Sequence, residues 1–306
     1  MRLLAPAKVN LHLRVGRPRA DGYHPLLTWI CTVALFDNLT INRAPGRDVA
    51  MSCDMPGLAC DAGNLVIKAA AALANLLAKS AAPAAAPELG LNITLRKQIP
   101  LGAGLGGGSS DGARTLQALN RLWAAGWPRQ KLANLAASFG SDLPFFFYGP
   151  SAICRGRGEL VEPISPPQSR FALLILPGSH MPTAAVYRRF DEMRLGNDER
   201  IDREPHWQQW TQLPAMPLLH ALVNDLEPAA FAIDPKLGRL RGDLEETLRR
   251  PVRMSGSGSS LFSLFDEESE AAAAAGLVNQ RLAVRCVAVE VAPTLTDDLN
   301  GRCGEK

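Results

Sequence analysis

The sequence predicts an α+β fold in two lobes, and two observations carry that prediction. First, strand-like and helical segments follow one another without the regular strand–helix–strand alternation of a doubly wound parallel sheet. Second, the chain has 306 residues, of which 47% are apolar and 21% charged, so it can bury two cores of ordinary size. We expect an N-terminal domain over residues 1–157 and a C-terminal domain over residues 158–306.

The first predicted strand has an unusual polar face. Residues 9–15 alternate strictly, which places aliphatic side chains on one face and polar side chains on the other. We interpret it as a half-buried strand that begins just after Lys8 and whose polar face carries function. The aliphatic residues are Val9, Leu11, Leu13 and Val15, and the polar residues are Lys8, Asn10, His12 and Arg14.

Hydrophobic periodicity assigns the remaining elements. Alternating apolar residues predict strands, apolar residues three and four apart predict helices, and stretches rich in Gly, Pro and Ser predict loops. A polar stretch over 194–213 is expected to form a long excursion on the surface. The other predicted strands are 91–95, 171–176 and 287–291; the helices are 64–79, 113–123, 129–139, 236–249 and 266–282; the loops are 80–87, 100–108 and 255–260.

Charge and cysteine usage limit the partners and the compartment. The net charge is only +3, so no field over the whole molecule favours nucleic acid or a membrane surface. No two of the six cysteines have the spacing of a zinc or redox motif, and scattered thiols are typical of a reducing compartment. The sequence shows neither a signal peptide nor an apolar run long enough to span a membrane. We therefore expect a cytoplasmic protein that acts on a small molecule, without nucleic acid or membrane partners.

The segment PLGAGLGGGSSD, Pro100 to Asp111, is the most informative in the chain. Its glycines let the backbone pass close to a ligand and adopt a positive φ. Because it lies between a predicted strand and a predicted helix, its amides and the helix dipole converge on one point, an arrangement that binds phosphate. A flexible linker is the alternative, although linkers do not usually join a clear strand to a clear helix.

Other phosphate-binding folds fit this loop less well. It lacks the Gly-Lys-Ser/Thr ending of the P-loop. Gly102, Gly104 and Gly107 match the dinucleotide pattern G-x-G-x-x-G, but the acidic residue expected about 20 positions further on is missing. A protein kinase would need a catalytic loop and an Asp-Phe-Gly motif, which are absent from the sequence. A nucleotide-dependent oxidoreductase remains the weaker alternative.

Three segments in order resemble the motifs of the galactokinase, homoserine kinase, mevalonate kinase and phosphomevalonate kinase (GHMP) superfamily. They are PAKVNLHLRV (6–15), PLGAGLGGGSSD (100–111) and MSGSGSSLF (254–262). The chain most resembles the family of 4-diphosphocytidyl-2-C-methyl-D-erythritol kinases, through PAKVNLHL, DGYHPLLT (21–28), NLVIKA (64–69) and GSDLPFF (140–146). Two departures are Ala103, where a further glycine is common, and Ser141 in place of the usual alanine.

The resemblance implies a two-lobed GHMP kinase architecture with the active site in the cleft between an ATP-binding N-terminal domain and a C-terminal domain that helps to bind substrate. It implies ATP and Mg²⁺ as cofactors. The implied reaction is direct transfer of the γ-phosphoryl group to the 2-hydroxyl of a cytidine diphosphate-linked methylerythritol, in the non-mevalonate isoprenoid pathway. A GHMP kinase with another acceptor and a non-catalytic nucleotide-binding relative remain as alternatives. We expect a monomer or a weak homodimer and assign no metal ligands.

The resemblance assigns two catalytic residues. Asp142 is implied as the general base, and Lys8 as the cation that holds Asp142 and the reacting hydroxyl. The alternatives are a helix N-cap for Asp142 and an ordinary surface lysine for Lys8. Because the apolar run LPFFFY follows Asp142, we expect its carboxylate to be desolvated.

Residues implied for the nucleotide include the glycine loop and a nearby lysine. Lys97 either reaches the nucleotide or snorkels from the edge of the core. Ser109 and Ser110 are either helix N-caps or ligands of phosphate or Mg²⁺. The implied nucleotide-binding set is Lys97, Pro100, Leu101, Gly102, Ala103, Gly104, Leu105, Gly106, Gly107, Gly108, Ser109 and Ser110.

Residues implied for the acceptor are mostly aromatic. Tyr23 and Tyr187 are expected to cover the two faces of the cytosine ring, with His24 hydrogen-bonded to its edge. Tyr23 could instead cap the core. In the second glycine–serine loop, Gly256 and Gly258 either approach the substrate phosphates or only shape a turn. The implied acceptor-binding set is Asn10, Tyr23, His24, Thr183 and Tyr187.

Overall fold

The structure is a computed structural model, and it describes residues 1–80 and 89–300. Most of the loop predicted at 80–87 lies outside the described residues, as does Cys303. The elements of the first lobe are β1 (Arg2–Val15), β2 (Leu26–Arg43), β3 (Val49–Cys53), α1 (Leu65–Ser80), β4 (Leu91–Arg96), α2 (Gly107–Leu122), α3 (Arg129–Ala137), α4 (Phe145–Tyr148), β5 (Ser151–Gly156) and β6 (Leu160–Pro163).

The long strand β2 is the centre of the first sheet. β1 runs antiparallel along one edge of β2, from Arg2 opposite Thr40 to Val15 opposite Leu26. β4 and β5 divide the other edge between them. β3 pairs parallel to β4, and β6 pairs antiparallel to β5. Both faces of β2 are covered, since Trp29 packs in one hydrophobic cluster and its neighbour Ile30 in another. Most of its side chains are therefore buried, and neither its length nor its limits follow from a simple alternation of residues.

β1 is longer and more buried than the sequence predicts. It begins at Arg2, so Lys8 lies within the strand instead of before it. Pro6 is tolerated because the pairing with β2 shifts register between Pro6 and Ala7, where a missing N–H costs little. The interpretation of a half-buried strand is wrong: Lys8, Asn10 and His12 are 4%, 6% and 2% exposed.

The second lobe is built on a four-stranded antiparallel sheet with the order β10-β7-β9-β8. The first sheet continues through β6 to Pro163, so the change from one sheet to the other lies between Pro163 and Phe171. The elements of this lobe are β7 (Phe171–Ile175), α5 (Thr183–Glu192), α6 (Glu199–Asp202), α7 (Trp207–Trp210), α8 (Ala215–Ala221), α9 (Glu227–Ile233), α10 (Pro235–Leu248), β8 (Arg253–Met254), β9 (Leu261–Phe265), α11 (Glu268–Leu282) and β10 (Cys286–Glu290).

The two lobes share a hydrophobic core. Leu11 and Trp29 of the first sheet are fully buried in one cluster with Phe262 and Val289 of the second sheet. Isolated bridges also link β1 and β2 to the second lobe, at Leu13 with Asn224 and at Val33 with Val291. The α+β class is confirmed, and every predicted helix and strand overlaps an observed element.

The polar stretch 194–213 is not simply a surface excursion. It contains α6 and α7, and the rings of Trp207 and Trp210 lie 5.7 and 5.2 Å from the ring of His12. Burial, and to a lesser degree the charge of Arg14, lowers the pKa of His12 to about 3. His12 is therefore a neutral core residue, which corrects its place on a functional face of β1.

Residues 1–80 and 89–300, which the structure describes, contain five cysteines. The five cysteines there are free: Cys31, Cys53, Cys60, Cys154 and Cys286. Over the same residues, no helix combines the length and the apolarity needed to cross a bilayer.

Candidate active site

A cavity of about 960 Å³ opens between the two lobes. From the first lobe it is lined by β1, the glycine loop and the segments around Asp142 and Arg157; from the second, by α5 and the loop at Gly256. The wall includes all the site residues assigned from the sequence except Ser110. Those residues are Lys8, Asn10, Tyr23, His24, Lys97, Pro100 to Ser109, Asp142, Thr183 and Tyr187.

The glycine loop uses a left-handed backbone at alternate positions. Gly102, Gly104 and Gly106 have φ values of 62°, 76° and 66°, whereas Ala103 does not have a positive φ, which a side chain disfavours. α2 begins at Gly107 with Gly106 as its N-cap. The open amides of the first turn of α2 therefore lie where the loop meets the cavity, which is the geometry of an anion site.

The two serines after the glycine loop lie inside the helix. Because Gly106 is the N-cap, the N-cap interpretation of Ser109 and Ser110 is wrong. Ser109 lines the cavity, but Ser110 is fully buried, and its hydroxyl has no hydrogen-bond partner among the described residues. Of the two hydroxyls, only that of Ser109 is placed to meet a ligand in the cavity.

The second glycine–serine loop braces the first. The Ser255 hydroxyl donates to the carbonyl of Gly104 at 2.9 Å, and the amide of Ser260 donates to the carbonyl of Ala103 at 3.1 Å. A Cβ at Gly104 would lie 2.2 Å from the Ser255 carbonyl, so the two backbones touch. A Cβ at Gly256 would come 3.4 Å from the Lys8 ammonium. This loop is thus both a packing partner of the glycine loop and part of the cavity wall.

The side chains of Lys8 and Asp142 lie next to each other in the cavity wall. The Lys8 ammonium lies 3.6 Å from Asp142 Oδ2 and donates a hydrogen bond to Asn10 Oδ1. Asn10 is held in turn by a 2.9 Å hydrogen bond from its Nδ2 to the Thr28 hydroxyl. With 5% of its side chain exposed, Lys8 is not a surface lysine. The polar contacts fix its ammonium beside the carboxylate.

Asp142 itself is more open than the sequence predicts. Its side chain is 40% exposed, so the expectation of a desolvated carboxylate is wrong. The N-cap alternative is also wrong, because α4 begins after Pro144 and has no side-chain cap. The apolar run after Asp142 buries Leu143, Phe145 and Phe146 and leaves the carboxylate at the rim of the core. An exposed carboxylate held beside an ammonium is accessible to a substrate hydroxyl.

Lys97 is enclosed by two carboxylates. Its ammonium contacts Asp37 and lies 2.8 Å from Asp111 Oδ2, and the side chain is only 1% exposed. The snorkelling alternative is therefore wrong. Asp37 also accepts from the amides of Gln98 and Ile99, at 2.6 and 2.9 Å. The cluster ties both ends of the glycine loop to β2.

Asp111, the third member of this cluster, has a buried carboxyl group. Burial raises the pKa of Asp111 to about 7, against the opposite effect of the Lys97 ammonium. Its Oδ1 has no hydrogen-bond partner among the described residues. Burial therefore disfavours the charged form of Asp111, whereas the Lys97 ammonium stabilises it.

Aromatic side chains form the far end of the cavity. Tyr23 is 53% exposed, and the Arg157 guanidinium lies 4.9 Å from its ring centre. The ring of His24 lies 5.0 Å from that of Tyr187, and its Nε2 is 2.8 Å from Asp191 Oδ1. Tyr23 thus does not cap the core; it presents its ring to the cavity rim.

The sequence reasoning did not identify three charged residues at this end of the cavity. Asp191 fixes His24, while Arg157 and Arg188 line the wall. Asp191 follows Thr183 and Tyr187 at intervals of four residues on α5, so helical spacing could have identified it. Arg157 has no such signal, because only the turn between β5 and β6 brings it to Tyr23.

Comparisons with known proteins show the family to which the chain belongs. The family model for the GHMP kinases N terminal domain matches residues 64–150, and the one for GHMP kinases C terminal matches residues 213–283. A 4-diphosphocytidyl-2-C-methyl-D-erythritol kinase from Synechococcus sp. (strain CC9902) is 37% identical over 91% of this chain and 92% of its own length. One from Geobacter sp. (strain M21) is 35% identical over 92% and 95%.

Solved structures give the same result at the level of the fold. A crystal structure of 4-(cytidine 5'-diphospho)-2C-methyl-D-erythritol kinase is 35% identical, covers 96% of this chain and 100% of its own, and has a TM-score of 0.74. A homoserine kinase from Cytophaga hutchinsonii is 18% identical, with a TM-score of 0.69 and coverage of 96% and 95%, and shares the fold. The chain therefore belongs to the GHMP kinases and, within them, to the family of 4-diphosphocytidyl-2-C-methyl-D-erythritol kinases.

Proposed function

We propose that this protein transfers the γ-phosphoryl group of ATP to the 2-hydroxyl of 4-diphosphocytidyl-2-C-methyl-D-erythritol. The observation that carries the proposal is the arrangement of one cavity. Lys8 and Asp142 lie between a phosphate-binding glycine loop on one side and the exposed Tyr23 with His24 and Tyr187 on the other. A nucleotide and a cytidine-linked acceptor can therefore meet at a single carboxylate.

The chain's own residues account for the transfer. Asp142 takes the proton of the acceptor hydroxyl while the hydroxyl oxygen bonds to the γ-phosphorus and the bond to the β,γ-bridging oxygen breaks, which releases ADP. The Lys8 ammonium, 3.6 Å from Asp142 Oδ2, orients the carboxylate and offsets charge on the transferred group. The amides of Gly106 to Gly108 bind the phosphates at the start of α2.

The cavity offers only a few protein oxygens among the described residues that could bind Mg²⁺. Among the described residues, no three His, Cys, Asp or Glu side chains are grouped as a metal cage. Mg²⁺ in kinases is held chiefly by substrate phosphates and water, with one or two protein oxygens. The Ser109 hydroxyl and the Asp142 carboxylate line the cavity and could supply these oxygens. Bound there, the ion would neutralise charge on the phosphates.

ADP formation tests the proposed function. With the purified protein and ATP, we expect ADP above background only when Mg²⁺ and the cytidyl acceptor are both present. With mevalonate or homoserine as the acceptor, ADP formation should not exceed background, because neither compound carries a nucleobase that could contact Tyr23 and His24. Equal rates with either of these would overturn the substrate assignment, and no phosphoryl transfer to any acceptor would favour a non-catalytic relative.

Loss of an aromatic ring at the far end should affect the acceptor alone. Tyr23→Ala or Tyr187→Ala is expected to raise the KM for the acceptor by about one to two decades, because base–aromatic stacking contributes about 1–3 kcal/mol. Tyr23→Phe keeps the ring and should stay near the wild type. Steady-state kinetics with each substrate varied would check this. A change confined to the KM for ATP would place these residues in the wrong half of the cavity.

A further inference from the structure

Some charged side chains of the cavity wall have a partner of opposite charge, and others do not. Four cationic side chains line it, Lys8, Lys97, Arg157 and Arg188, together with the carboxylates of Asp142 and Asp191. Lys8 is engaged with Asp142 and Asn10, and Lys97 with two buried carboxylates. Asp191 is engaged with His24. Both lysines therefore already have carboxylate partners.

The two arginines of the cavity wall neighbour aromatic residues. Arg157 is held over the Tyr23 ring at 4.9 Å, and its Nε is 3.7 Å from Glu159 Oε1. Arg188 follows Tyr187 on α5, is exposed, and makes no ion pair with the residues that the structure describes. Among the described residues, neither guanidinium forms an ion pair with Asp142 or Asp191 of the cavity wall. Positive charge at this end is therefore available to a ligand.

We infer that Arg157 and Arg188 form an anion subsite that binds the diphosphate of the acceptor. This inference rests on the proposed function, in which the cytosine ring lies at Tyr23 and the reacting hydroxyl at Asp142. The diphosphate joins those two ends of the acceptor. The segment that carries Arg157 spans the same interval, since a Cβ at the next residue, Gly158, would lie 3.9 Å from Asp142 Oδ1. Guanidinium groups suit phosphate oxygens because they donate in pairs and stay charged.

Arg188 and its neighbour Arg189 offer a matched pair of variants. Both are exposed arginines on α5, but Arg189 does not line the cavity and pairs with Glu192 at 3.0 Å. Binding of CDP and of uncharged cytidine would be measured by calorimetry on the full chain, with the ATP site filled by a non-hydrolysable ATP analogue. Wild-type protein is expected to bind CDP more tightly than cytidine, and raising the salt concentration should reduce this difference.

Arg188→Gln should weaken CDP binding by about tenfold and leave cytidine binding unchanged, because one charge-assisted contact is lost. Arg189→Gln should bind both ligands as the wild type does. Arg157→Gln is expected to weaken the binding of both ligands, and that of CDP more than that of cytidine. The reason is that the Arg157 guanidinium also supports the Tyr23 ring.

The outcomes separate this inference from the proposed function. Wild-type protein that binds neither cytidine nor CDP would overturn the proposed function itself. If wild-type protein binds cytidine and CDP with equal affinity, the cytidine site stands and the anion subsite is overturned. The subsite would also be overturned if Arg188→Gln kept wild-type affinity for CDP, or if Arg189→Gln lost as much as Arg188→Gln.

Discussion

Asp142→Asn is expected to lower kcat by about 10²–10⁴ while both KM values stay near those of the wild type. The amide has nearly the same shape as the carboxylate, so both ligands should still bind. It lacks the negative charge and the basicity that the proposed proton transfer needs. The substitution would also change the environment of Lys8, because its ammonium, 3.6 Å from Asp142 Oδ2, would lose its counter-charge.

The structure makes this variant easier to interpret. Asp142 is 40% exposed and caps no helix, so the cost of its replacement to thermal stability should come mainly from the lost ion pair with Lys8, and the variant should remain folded. A near-normal kcat in a folded variant would contradict the catalytic assignment. A loss of only about tenfold would mean that a loose transition state needs little base catalysis and that Asp142 acts as a positioning group. Lys8→Met would then show how much of the remaining catalysis depends on charge.

Gly106→Val is expected to abolish measurable ATP binding. Gly106 has a φ of 66°, which a β-branched residue adopts only with strain. A Cβ there would lie 2.8 Å from Lys8 Cγ and 3.1 Å from Lys8 Cε, so the new side chain would displace both the glycine loop and Lys8. ATP binding would be measured by calorimetry or fluorescence.

Gly126→Val is the matched control for backbone strain. Gly126 has nearly the same φ, 65°, but lies outside the cavity wall, and a Cβ at this position would have open space for 4 Å around it. Both variants should lose a similar amount of thermal stability from the left-handed backbone, whereas only Gly106→Val should lose ATP binding. Wild-type ATP affinity in a folded Gly106→Val protein would refute the phosphate-loop interpretation.

Local sequence predicted elements best where one periodicity holds over many residues. α1 and α10 follow apolar residues at helical spacing, and β4 follows strict alternation, so all three lie close to their predicted limits. β2 was not predicted because both of its faces are covered along much of its length, which gives no simple pattern. β1 was shortened because Pro6 interrupts the pattern, and only the register shift beside it explains why the strand continues.

The sequence also predicted which residues surround one cavity, because the motifs themselves carry the chemistry. A glycine loop before a helix implies exposed amides, and a lysine, an aspartate and aromatic residues in family-specific segments imply a kinase acting on a base-linked acceptor. What the sequence could not supply was the environment of each group. It predicted a desolvated Asp142 from the apolar residues that follow, but the turn before α4 leaves the carboxylate 40% exposed.

The sequence by itself determined the α+β class, the family and the residue types that meet at the cavity, because these depend on local periodicity and on motifs that are contiguous in the chain. Only the tertiary structure decided that Lys97 is enclosed by Asp37 and Asp111, that His12 is a neutral core residue, and that Arg157 lies over Tyr23. The partners in each of these contacts come from different elements. Burial and charge pairing between distant segments depend on how the sheets and helices pack, and no local pattern records that packing.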